Sequence, residues 1–226
     1  MITLDKPSQS QKLSLTKGAG RLTVTARWID NGDGRSDNDD LDLRAGVLLP
    51  NGQMHWVACS HPGAIESMPF ARHLGDVRGA SLAAPGEETI EVSTEISDRL
   101  GGRVAMIFSV YSAIENGAVS IAALRPTMRI VHGDQHVECA YVFKEVPKNV
   151  YTYVVGVAIV DGRNVTIRPS GMTSPPGSEA TPWLRWEGAG VRESFDGAAV
   201  FKNGRGASFV GKFLGMGGGK NKYVNA

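Results

Sequence analysis

The stretch DLDLRAGVLLPNGQMHWVA, residues 40–58, decides how the rest of the chain is read. Two apolar runs, LRAGVLL and MHWVA, flank the tetrad PNGQ. Both runs have the length of a strand and are too short for an ordinary helix. Asn51 and Gly52 both tolerate positive φ, which is what a tight hairpin turn demands. The segment therefore reads as a β-hairpin whose first strand opens on two aspartates, Asp40 and Asp42.

The same grammar repeats outward from it. RLTVTARW alternates, with Leu22, Val24, Ala26 and Trp28 on one face. RVAMIFSVYSA is apolar without a break, as expected of a strand covered on both faces. HVECAYVF alternates again, while ETIEVSTEI does so less cleanly. VYTYVVGVAIV meets NVTIRP across Asp161-Gly162-Arg163, a second hairpin signal. STEISDRL could form one helical turn capped by Ser93 or Thr94. Short strands separated by Gly, Asn and Asp turns predict an all-β, two-sheet β-sandwich.

The sandwich is expected over residues 1–169. Residues 170–187 are a Pro/Ser-rich loop ending in Trp183 and Trp186, expected to pack back on the domain. Residues 188–226 read as a glycine-rich basic tail, ill suited to a packed core. The 226 residues carry a net charge of +1, which argues against duplex DNA or an anionic membrane as partner. Two cysteines, Cys59 and Cys139, do not make a disulfide scaffold. The first residues show no secretion signal, and no apolar run reaches the roughly 20 residues that span a bilayer. A cytoplasmic protein is the expectation.

Upstream of the hairpin, six aspartates lie between Asp30 and Asp42, with Arg35 the one cation among them. Like charges this close raise one another's pKa and resist compaction. Either the loop is solvated, or a cation relieves it. DNGDG and DNDDLD supply short carboxylates and pliable backbone, the ingredients of a calcium loop. An EF-hand is excluded: counted from Asp37, the sixth residue is Asp42 rather than Gly and the twelfth is Leu48 rather than Glu. Asp40 and Asp42, two apart at the head of a strand, project to one face, a costly arrangement at a buried position without a cation between them.

Other constellations are weaker. His55, Cys59 and His61 share one parity, but strand residues four apart stand about 13 Å from each other, too far for a single ion. Cys59 and His61 could supply two ligands at most, with no partnering Cys pair, and read as core or turn residues. His132 and His136 flank a Gly-containing turn. There is no G-x-S-x-G, no Cys/His dyad and no phosphate-binding loop.

Four segments in order, LSLTKGAGRLTVTARWID, DDLDLRAGVLLPNG, HLGDVRGA and GEETIEV, resemble the TerD-domain family of tellurium-resistance and stress-response proteins. The resemblance covers roughly Lys12 to Pro169. It implies a β-sandwich that binds Ca2+ through acidic loops at one end and has no known catalytic activity. Carried over by position, Asp40 and Asp42 match the family's Asp-Leu-Asp pair, Asp76 its Gly-Asp aspartate, and Glu87 and Glu88 its Asp-Asp-Glu. Val77 replaces an Asn of the family, Gly79-Ala80 replace Thr-Gly, and Ile29 separates Trp28 from Asp30. These departures suggest a divergent member, nearer the TerA-like relatives, in which Asp30, Asp33 and Asp37 compensate for lost ligands.

The resemblance thus implies a calcium-binding interaction module serving other proteins of a stress or tellurite-resistance complex. A structural protein whose tail docks on a partner or a second protomer is the alternative. A ligand-binding sandwich using Trp28, Trp56, Trp183 and Trp186 as stacking surfaces is a third possibility, although Trp28 and Trp56 sit in apolar strands and read as core.

Overall fold

The computed structural model describes residues 1–16, 20–31, 40–81, 83–112, 120–142 and 149–196. Fifteen strands, one helical turn (α1, Ile96–Arg99) and one 3-10 turn (Ile121–Ala123) make up these segments. One sheet holds β1 (Ile2–Leu4), β3 (Arg21–Trp28), β6 (Gly63–Ala64), β7 (Ala71–His73), β8 (Gly86–Ser93), β10 (Thr127–His132) and β11 (Gln135–Cys139). Its spatial order is β1-β11-β10-β3-β8-β7-β6. The second holds β2 (Gln11–Ser14), β4 (Asp42–Leu48), β5 (Met54–Val57), β9 (Val104–Tyr111), β12 (Thr152–Asp161) and β13 (Asn164–Pro169), in the order β2-β13-β12-β9-β4-β5. Pairing is antiparallel except for β1 beside β11.

The two sheets face each other as the alternation predicts. Leu22, Val24, Ala26 and Trp28 of β3 are buried, and their polar neighbours Arg21 and Arg27 are exposed. Opposite them lie Leu43, Ala45 and Val47 of β4 and Met106, Phe108 and Val110 of β9. On β12 the inward residues are Tyr153 and Val155, then Ala158 and Val160. The parity changes because the β12–β9 register slips between Val154 and Gly156, a bulge that inserts one residue. Both expected hairpins form: β4 joins β5 through Asn51-Gly52, with Gly52 at φ 87°, and β12 joins β13 through Gly162-Arg163.

The unbroken apolar pattern of β9 has its explanation on the far side of the second sheet. A separate hairpin, β14 (Trp183–Glu187) and β15 (Gly190–Ser194), lies across that outer face. It covers Leu48, Met54, Trp56, Ala105, Ile107, Val154 and Val157 with Leu184, Trp183 and Trp186. The Trp186 indole N–H donates to the Leu49 carbonyl (2.8 Å), and the Arg103 guanidinium lies 4.5 Å from the Trp186 ring centre.

Two expectations need correction. The hairpin runs through the boundary placed between 187 and 188, so ordered structure extends to Ser194; a two-residue turn at Gly188 looks, in composition alone, like the start of a glycine-rich tail. The cap of α1 is Glu95, without a side-chain cap bond, and Ser93 Oγ accepts the Glu95 N–H instead (3.3 Å). Ser93 is the last residue of β8, which takes it out of the capping position. The tail from 197 onward lies outside the described residues.

Candidate metal centre

The site is best built from Glu88. On β8, Gly86, Glu88, Ile90 and Val92 point inward, so a carboxylate occupies a core position with 1% of its surface exposed. A buried carboxylate is tolerated only when donors surround it. Three do. The Leu43 N–H donates to Oε2 (2.6 Å), the Val77 N–H donates to Oε1 (3.0 Å), and His73 Nε2 lies 3.2 Å from Oε2. The Gly75 N–H donates to His73 Nδ1 (3.1 Å), so the ring proton is on Nε2 and points at Glu88.

These bonds fix geometry elsewhere. Leu43 follows Asp42 at the head of β4, and Val77 follows Asp76 in the loop after β7. By holding both main-chain amides, Glu88 draws the two aspartates to the same place. Asp42, Asp76 and Cys59 each offer a ligand atom, and the three atoms lie within 4.8 Å of one another. Cys59, just past β5, donates its thiol to Asp42 Oδ1 (3.5 Å). Asp42 is buried, Cys59 half-buried and Asp76 exposed, so the cluster grades from the interior to the surface. Asp76 Oδ2 also accepts from Arg78 Nε (3.2 Å).

Behind the cluster, on the outer face of the second sheet, stand Arg44 and Tyr111. Arg44 donates to Thr181 Oγ1 (3.1 Å) and Thr152 Oγ1 (3.3 Å), and its guanidinium lies 3.9 Å from the Tyr111 ring centre. Tyr111 is paired with Asp42 across β4 and β9. Its hydroxyl is buried and has no hydrogen-bond partner among the described residues. Burial pushes its pKa far up, and the negative charge of Asp42, with lesser contributions from Glu179 and Cys59, pushes the same way against the opposing pull of Arg44.

The expected ligands thus divide. Asp42 and Asp76, 34 positions apart in the chain, do meet. Glu88 lies beside them, with Oε2 accepting from the Leu43 N–H and facing His73 Nε2, and Oε1 accepting from the Val77 N–H. Glu87 points outward and pairs with Arg27 (3.3 Å). Asp40 stands outside the cluster, and its carbonyl accepts the Ser112 hydroxyl (2.9 Å). Asp30 is half-buried after β3 and is likewise not a member. Asp33 and Asp37 lie outside the described residues. Asp40 precedes β4, which begins at Asp42, so the alternation of the strand does not fix where its side chain lies.

Sequence reasoning dismissed Cys59, which joins the cluster, and passed over His73 and Arg44. The zinc argument considered only neighbours along one strand, whereas the partners of Cys59 come from other loops. The described donor set fits calcium poorly. That ion takes about six to eight oxygens, and here two carboxylates are joined by a sulfur, a soft donor.

No protein-family model matches the chain, and comparison with curated proteins finds no significant match. Among solved structures, the crystal structure of SAV2460, a protein of unknown function, aligns with a TM-score of 0.51. The two are 18% identical, and the alignment covers 71% of this chain and 94% of that one. At that level of identity the likeness concerns architecture, and it agrees with the all-β sandwich described above.

Proposed function

We propose that this protein is a non-enzymatic interaction module whose loop pole is controlled by a divalent cation. The observation that carries it is the meeting of Asp42, Cys59 and Asp76, delivered by three separate segments and held by the buried Glu88. Without a cation the two carboxylates repel each other. With one, the loop carrying Asp76 is drawn onto the sheet end and the pole loses negative charge. A partner protein can read that change. The stress- or tellurite-resistance setting implied by the resemblance to TerD domains is the context in which we place such a module, and Ca2+ is the ion which that resemblance implies.

Thermal unfolding of the metal-stripped full chain tests this, with Ca2+ and Zn2+ added in separate arms. An ion present at 100 times its Kd stabilises by about 2.7 kcal/mol, or roughly 5–11 °C for a chain of this size. The rise should disappear in Asp76→Asn, an exposed substitution that leaves the fold alone. If neither ion shifts the parent, or if the variant shifts as the parent does, the module does not work this way.

A further inference from the structure

We infer that the pole selects a borderline, sulfur-accepting divalent cation of the zinc class, with Cys59 as a ligand beside Asp42 and Asp76. This rests on the cation site proposed above and specifies its ion. Three observations carry it.

The first is the composition of the cluster. A thiolate competes well for zinc-class ions and adds nothing to a calcium site. The second is its spacing. Two ligands on one tetrahedral zinc, a sulfur at about 2.3 Å and an oxygen at about 2.0 Å, stand about 3.5 Å apart. Cys59 Sγ and Asp42 Oδ1 are separated by 3.5 Å. The third is independent of the cluster. The Tyr111 hydroxyl, on a residue 2% exposed and register-paired with Asp42, has no hydrogen-bond partner among the described residues. Such a group costs stability unless something satisfies it. Tyr111 stands directly across from Asp42 in the β4–β9 pairing, so both side chains lie on the same face of the sheet. A water on the ion's open position would offer the hydroxyl a partner. On binding, the Cys59 S–H bond breaks, its proton leaves to solvent, and the sulfur lone pair forms the bond to the metal. No oxidant or reductant is needed.

Asp42 supplies the buried charge, Asp76 closes the site from the surface, and Glu88 with His73 keeps both in place. Arg44, 3.9 Å from the Tyr111 ring centre, packs that ring in place.

Titration of the metal-stripped full chain with Co2+, a spectroscopic stand-in for Zn2+, separates the possibilities. The parent should develop a near-ultraviolet thiolate-to-cobalt charge-transfer band, and added Zn2+ should abolish it while Ca2+ in large excess should not. Cys59→Ser should lose the band and bind Zn2+ at least tenfold more weakly by calorimetry. Tyr111→Phe should keep the band and weaken binding less. A parent without the band, or a band surviving in Cys59→Ser, overturns the assignment of Cys59. Ca2+ binding that is lost in Asp76→Asn but unchanged in Cys59→Ser overturns the zinc-class ion while leaving the cation-controlled module standing. Failure of both ions to bind the parent overturns both.

Discussion

Replacing Glu88 by Gln tests the architecture of the pole directly, because the change is nearly isosteric while it removes the charge and turns one acceptor oxygen into a donor NH2. The carboxylate takes three donors: the Leu43 N–H at 2.6 Å, the Val77 N–H at 3.0 Å and His73 Nε2 at 3.2 Å. A carboxamide offers one oxygen. In its best placement that oxygen keeps Leu43 and His73, and the NH2 group then faces the Val77 N–H. One buried backbone donor loses its acceptor, at a cost of about 1–3 kcal/mol. The two bonds that remain lose their charge assistance, about 1 kcal/mol each, and the smaller desolvation cost of an amide offsets part of this. The net expectation is about 2–4 kcal/mol, read as a fall of roughly 4–16 °C in Tm. Calorimetric or circular-dichroism melts of the metal-stripped protein measure it, with Glu87→Gln as the neighbouring control. Glu87 is half exposed and paired with Arg27, so its loss should stay within about 0.5 kcal/mol. The alternative assignment makes the opposite forecast: a Glu88 that serves as a metal ligand would lose cation binding on substitution and leave the metal-free protein unharmed. A Glu88→Gln protein melting within about 0.5 kcal/mol of the parent would refute the positioning role.

Two further outcomes follow from the packing. The thiols should differ sharply: Cys59 is half-buried, whereas Cys139 is buried and its pKa is pushed up to about 12, chiefly by burial and secondarily by Glu138. A thiol reagent at neutral pH should therefore titrate one cysteine in the folded chain and two in denaturant, and a bound thiophilic ion should protect the first. Gly86→Ala should destabilise by at least 1–3 kcal/mol by the usual cost of overpacking, because its Cβ would run into the Trp28 indole, which is fully buried opposite it across β3 and β8. Urea denaturation gives the value, and an unchanged midpoint would mean that the ring has room to move.

The sandwich was legible in the chain because its signals are local. Leu22 to Trp28 alternate, Asn51-Gly52 turn, and each of these patterns needs only its own neighbours. The coverage of β9 on both faces was also visible in its unbroken apolarity, although not what covers it. The site was legible only in part. Asp42 and Asp76 stood out as acids beside glycines and strand ends, but the same criterion also selected Glu87, Glu88 and Asp40. Separating them requires knowing which face of β8 looks inward and where β4 begins. The side chains of Glu88 and Glu87 differ by one step of a pleat, and that step decides between a carboxylate enclosed by three donors and one paired with a surface arginine. Cys59 was missed because its partners come from distant segments, and the closing of three loops onto one point is a property of the folded sheets.

The outermost hairpin has a consequence for anyone trimming this chain. Its strands lie beyond the segment that composition marks as the domain, yet Trp183, Leu184 and Trp186 roof the apolar exterior of the second sheet. A fragment ending at Pro169 would bare Trp56, Ile107, Val154 and Val157 to water together, an oily strip of the kind that drives precipitation. A piece that keeps this face covered therefore includes Ser194, and the roof, though it follows the segment that composition marks, is as much a part of the domain as the walls.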